Sequence, residues 1–191
     1  MISSQTELKL SHIFKVLADG ERVIELNRQV LSNYPEFDSY QIFSFLDYHK
    51  KNSIDSLDLI NYFRSKNTII NEIEAKLIIH FYDSNYNGVL SYPEFKSLVE
   101  SENNPNRIIS NYIDSRGISN NIDYSLNILL LKELDLARNL IILLNDLKNS
   151  PDFNIHELYH SIKNWNCIDE ISIRNFLNKN REAYLEYDLK K

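Results

Sequence analysis

The sequence predicts an all-α protein made of helix–loop–helix pairs, in two lobes joined by a long helix. Three observations carry that expectation. Only 3 Gly and 4 Pro occur in 191 residues, too few for the tight turns of an all-β fold. Apolar residues recur at i, i+3 and i+4 spacing from one end to the other. Part of the first half also reappears in the second, as it does in repeat architectures.

The elements follow in order. Leu8, Ile13, Phe14 and Leu17, then Val23, Ile24, Leu26, Val30 and Leu31, predict helix with a break at Asp19–Gly20 and an end at Pro35. Asp38 with Gln41 reads as a capping box opening a helix from Ser39 to about Asp47. Leu57 to Arg64 reads as the next helix. Asn71 with Glu74 forms a second capping box, and Ile73, Leu77, Ile78 and Phe81 continue that helix. A turn over Asp83 to Gly88 leads to a helix from Tyr92 through Val99. Residues Ser101 to Asn121, rich in Asn and Ser, read as a linker. A long helix from Ile122 to Leu147 follows, ending before Pro151, and shorter helices are expected near Ile155 to Ile162, Ser172 to Leu177 and Arg181 to Leu189. The domain division expected is 1–100, then the 101–121 linker, then 122–191.

The repeat aligns Arg22 to Asn67 with Arg138 to Asn180. Pro35-Glu36-Phe37 matches Pro151-Asp152-Phe153, Ile54-Asp55 matches Ile168-Asp169, and Tyr62-Phe63 matches Phe176-Leu177. The second copy reads as a degenerate lobe. A further repeat starts at Glu182-Ala183-Tyr184-Leu185, an echo of Glu74-Ala75-Lys76-Leu77, and is cut short at Lys191.

Composition excludes several functions. The net charge of −6 and pI of about 5.4 argue against a nucleic-acid surface and favour cation binding. Cys167, the single cysteine, rules out an internal disulfide and suggests a reducing, cytoplasmic setting; it reads as a small apolar core residue. Met1 to Leu10 carries Glu7 and Lys9 and lacks an apolar run, so no secretory signal is expected. Lys132, Glu133, Asp135 and Arg138 interrupt the most apolar helix, so no membrane span is expected. His156 and His160 share a helix face, but with no third ligand in view they read as a surface pair. Phosphate-cradling and nucleophile-elbow motifs are absent, so no enzymatic activity and no catalytic residue are expected.

The chemistry-bearing segment is Asp83-Ser84-Asn85-Tyr86-Asn87-Gly88-Val89-Leu90-Ser91-Tyr92-Pro93-Glu94. Asp83, Asn85 and Asn87 put side-chain oxygens at alternate positions around one turn of chain. Gly88 permits the positive φ that bends the backbone back. Val89 offers a carbonyl, Ser91 a hydroxyl, and Glu94 two oxygens from the first turn of the following helix. Such an all-oxygen set suits a hard cation. The segment resembles the calcium loop of the EF-hand superfamily, to which calmodulin and centrin belong, and the resemblance implies Ca²⁺ at Asp83, Asn85, Asn87, Val89, Ser91 and Glu94. With only two carboxylates the affinity implied is about 10⁻⁶ to 10⁻⁵ M or weaker.

In that family loops pair, and Asp47 to Asp58 takes the partner's register, with Ile54 facing Leu90. His49, Lys51 and Asn52 stand where ligands and the bend glycine belong, and Asp58 is one methylene short, so this hand (38–66) reads as structural beside the competent hand (71–101). The third loop, Lys163 to Ser172, is shorter still, with Trp165 as a core or contact residue. The pattern over the whole chain is most similar to duplicated EF-hand proteins of ciliates, some of them structural components of ciliary doublet microtubules. That implies a structural or adaptor role in a ciliary, axonemal or other cytoskeletal assembly. The alternatives are a diffusible calcium sensor gripping a target helix and a regulatory subunit. Met1 is the only methionine, which argues against a promiscuous sensor groove.

Overall fold

The computed structural model describes residues 2–101, 117–164 and 167–180. Within them the chain is all-helical. Eight helices run in order: α1 (Ser4–Ser32), α2 (Ser39–Leu46), α3 (Ser56–Ser65), α4 (Glu72–Tyr82), α5 (Tyr92–Val99), α6 (Asn120–Lys148), α7 (Ile155–Ile162) and α8 (Glu170–Lys179). No described helix is long and apolar enough to cross a membrane. The helix expected over Arg181 to Leu189 lies outside the described residues, as do Trp165 and most of the expected linker.

The break expected at Asp19–Gly20 does not occur, because α1 is continuous for 29 residues. A glycine inside a helix costs only about 1 kcal/mol relative to alanine. Residues that bury on both sides of it, Ile13 before and Ile24 and Leu31 after, outweigh that cost. The helix starts expected at Asp38 and Asn71 are capped as read, and the structure adds caps at Asn154, Asp55 and Asp169. Asp38 accepts from the Tyr40 and Gln41 amides, and Asn154 accepts from His156 and Glu157 in the same way. Asp55 with Asp58, Asn71 with Glu74, and Asp169 with Ser172 form reciprocal capping boxes.

The chain divides into two compact units, Arg22–Ala137 and Met1–Glu21 with Arg138–Lys191. These bounds differ from the expected 1–100 and 122–191. Both long helices span a unit boundary, so the first part of α6 belongs with α2–α5, and the first part of α1 with α7 and α8. In that part of α6, Leu126, Leu129, Leu130 and Leu134 are fully buried, and Glu133 bonds Tyr82 at the end of α4.

The sequence repeat has a structural counterpart that reaches further than the residue matches do. α1 and α6 are both 29 residues long. In one unit the Ser119 hydroxyl donates to Glu36 at 3.1 Å; in the other the Ser3 amide donates to the Asp152 carboxylate. Lys66, just past the end of α3, pairs with Asp123 near the start of α6. Lys179, at the end of α8, pairs with Glu7 near the start of α1 at 2.6 Å. Each copy's helix pair is therefore met by the start of the long helix that precedes the other copy. In the second unit Ile162, Phe176 and Leu177 form the core, with Leu10, Phe14 and Ile173 packed on it.

Within Arg22–Ala137 the helices make two helix–loop–helix pairs, α2–α3 and α4–α5. α2 packs on α5 and α3 on α4. The rings of Phe43 and Phe95 meet at 5.5 Å between α2 and α5. The two loops join through one antiparallel bridge: the Ile54 amide donates to the Leu90 carbonyl at 2.9 Å and the Leu90 amide returns the bond at 2.8 Å. Both side chains are fully buried. The expected facing of Ile54 and Leu90 is what the backbone shows.

Candidate metal centre

The loop between α4 and α5 is organised by its own side chains. Asp83 ends α4 with its carboxylate turned inward, where Oδ1 accepts from the Asn87 amide at 3.2 Å and Oδ2 from the Gly88 amide at 2.7 Å. Asn85 Oδ1 accepts from Asn87 N–H, and Asn87 Oδ1 from Val89 N–H. These local turns fix the backbone of the loop around the Asp83 carboxylate. Gly88 has φ +82°, the left-handed region expected of it, and open space where a Cβ would stand.

Glu94 closes the loop from α5. Its Oε1 accepts from the Ser84 amide (3.1 Å), the Ser84 hydroxyl (2.8 Å) and Asn85 Nδ2 (2.9 Å). Its Oε2 accepts from the Ser91 amide (2.9 Å) and hydroxyl (2.7 Å). The hydroxyl and amide of Ser91, with those of Ser84, hold its pKa down at about 2. The carboxylate is thus ionised at any physiological pH. Asp83 and Glu94 are both buried, so two negative charges sit in a loop with no cationic side chain of its own.

The donor set fits a hard divalent cation: two carboxylates, two side-chain amides, a hydroxyl and a carbonyl. Among the described residues no group of three His, Cys, Asp or Glu side chains gathers at one place. An all-oxygen loop that relies on amide and backbone oxygens is consistent with that. Sequence reasoning missed Ser84, whose amide and hydroxyl both hold Glu94; only the bend at Asp83 brings it there.

The loop between α2 and α3 repeats this scaffold with a different centre. Asp47 Oδ1 accepts from the Lys51 amide and Oδ2 from the Asn52 amide, as Asp83 does one loop later. Asn52 adopts φ +58° in place of glycine. The Lys51 ammonium then turns inward, bonding Asp55 and standing 2.9 Å from Asp58 Oδ2. Against partial desolvation, the Asp55 and Asp58 carboxylates hold the Lys51 pKa above its ordinary value; against its own desolvation, Asp55 is held below the usual carboxylate range by Lys51 and by the Asp58 and Leu57 amides. The lysine read from sequence as an obstacle to a metal is the loop's built-in cation.

A buried polar cluster holds both ends of the α4–α5 pair. Arg28 of α1 donates from Nε to the Leu98 carbonyl at 3.0 Å, near the end of α5. Its Nη2 bonds the Tyr82 hydroxyl, next to Asp83, and Tyr82 in turn bonds Glu133 of α6. Glu25 and Glu133 each lie 3.5 Å from the guanidinium. All three charged side chains are at most 5% exposed. One cation thereby ties α1, the end of α4, the end of α5 and α6. No sequence motif announces this cluster, since its members lie on four separate helices.

Elsewhere, Cys167 is exposed, which corrects its reading as a core residue; it sits in the short bridge Asn164–Cys167, outside the helices that bury side chains. His156 and His160 are exposed on α7. Comparison of the chain with protein-family models, with curated proteins and with solved structures gives no match.

Proposed function

We propose that this chain is a calcium-binding protein of the EF-hand kind that serves as a structural or adaptor component of a larger assembly. The observation that carries calcium binding is the 83–94 loop, in which the buried Asp83 carboxylate accepts from the Asn87 and Gly88 amides and the buried, ionised Glu94 is met by Ser84, Asn85 and Ser91. Asp83, Asn85, Asn87 and Ser91 side chains, the Val89 carbonyl and both Glu94 oxygens would hold the ion. When bound, calcium supplies a tie between the end of α4 and the start of α5.

The structural role draws support from Arg28. Opening a sensor lobe moves the two helices of a hand apart to expose a groove. Here one buried guanidinium bonds the ends of both α4 and α5, and Tyr82 ties α4 to α6 as well. The partner loop carries its own ammonium and has no need of a metal to hold its shape. Both features favour a hand that stiffens on binding over one that opens to a target helix. A ciliary or other cytoskeletal lattice is the assembly the sequence resemblance suggests.

The test is a calcium titration by calorimetry on the full chain and on Glu94→Gln, with an apolar dye present in a parallel series. One site at about 10⁻⁶ to 10⁻⁵ M, weakened at least tenfold in the variant and without a rise in dye fluorescence, is the expected result. No heat at millimolar calcium would remove calcium binding from the proposal. A large calcium-dependent dye signal would favour the diffusible sensor instead.

A further inference from the structure

α7 carries a second arrangement of metal-ligating atoms, independent of the 83–94 loop. His156 and His160 stand one helical turn apart on one face. Their rings approach to 4.2 Å between centroids at 79°, and the two Nε2 atoms come within 2.9 Å. From sequence they were a plain surface pair, since i, i+4 spacing leaves ring orientation open. The structure brings the two Nε2 atoms within hydrogen-bond distance of each other while leaving both residues exposed.

Two imidazoles can meet this way in two manners. One Nε2 keeps its proton and donates to the other, or both are unprotonated and share an electrophile. Nitrogen–metal bonds of about 2.0–2.1 Å spanning a 2.9 Å separation close an angle of about 90° at the metal. That is the cis angle of octahedral or square-planar ions, and a small ring rotation widens it toward tetrahedral.

We propose that His156 and His160 form a two-nitrogen chelate for a borderline divalent transition ion: zinc, copper(II) or nickel. Imidazole selects these ions over calcium, which takes oxygen. No third His, Cys, Asp or Glu joins them among the described residues. The remaining coordination positions therefore go to water or to a donor brought by another molecule.

The test is a zinc titration of the full chain by calorimetry, with calcium saturating so that the 83–94 loop does not contribute. His156→Gln, His160→Gln and the double variant are compared with the wild type. Both rings are exposed, so these variants keep the fold, and far-UV circular dichroism checks that they do. The expected result is one zinc site, weakened at least tenfold by either single change, with the double change no worse than either single. That non-additivity is the mark of a chelate; His12, His49 and His80 remain as internal controls. Absence of zinc binding up to about 10⁻⁴ M, or a single variant that binds as the wild type does, overturns the proposal. Neither outcome bears on the calcium site, which is read separately by Glu94→Gln.

Discussion

Lys51→Met removes the ammonium at the centre of the 47–58 loop while keeping most of the apolar stem. Asp58 is then a carboxylate with a fully buried side chain whose nearby cation is gone; Oδ2 keeps only the Asp55 amide, at 3.0 Å. A buried acceptor stripped of its partner costs about 1–3 kcal/mol, and more when charged. Removing one member of a fully buried ion pair costs about 3–5 kcal/mol. Lys51 is 32% exposed, so solvent screens part of the interaction. The expected loss is about 2–3 kcal/mol, a fall of about 5–10 °C in melting temperature for a chain of this size.

Thermal unfolding followed by circular dichroism reads that loss. Asp58→Asn supplies the second arm, since it discards the buried charge but keeps an acceptor for the Asp55 amide. With the ammonium as counter-charge, Lys51→Met is far less harmful in the Asp58→Asn background, giving a coupling of about 1 kcal/mol or more. A Lys51→Met variant within about 0.5 kcal/mol of the wild type, or a cycle that closes additively, would refute the assignment of Lys51 as the loop's internal cation.

Two further outcomes follow from the same structure. Arg28→Met removes the buried cation beside Glu25 and Glu133 and the bonds that hold the ends of α4 and α5, so a loss of about 3–5 kcal/mol in thermal or denaturant unfolding is expected; if it is destabilising by less than about 1 kcal/mol, the clamp is not holding the pair. The segment Arg22–Ala137, expressed alone, contains α2–α5 with both long-helix parts that bury against them, and is expected to give a cooperative melt and a helical spectrum; an unfolded fragment would contradict its status as a self-contained unit.

Much of the local structure was written in short-range chemistry. Asp38 and Asn71 announce helix starts because a side-chain oxygen at that position satisfies amides the helix leaves unpaired. Tyr92–Val99 and Ile155–Ile162 match their expected spans residue for residue. The 83–94 loop was legible because its spacing of oxygens, its glycine and its closing glutamate are all local requirements, met within one turn of chain. Gly20 misled for the opposite reason: its local cost is small, and the packing on either side of it is not visible in a short window.

The sequence by itself determined most of the helices, the caps at Asp38 and Asn71, the paired loops with Ile54 opposite Leu90, and the duplication of Arg22–Asn67 in Arg138–Asn180. Only the tertiary structure decided that each unit is completed by the start of the long helix preceding the other copy. It also decided that Arg28 joins four helices, that Lys51 turns inward to Asp58, and that the His156 and His160 nitrogens converge. The physical reason is range. A cap or a loop is fixed by groups a few residues apart, whereas the direction of a long charged side chain is set by which distant helix supplies its counter-charge, and that is a property of packing alone.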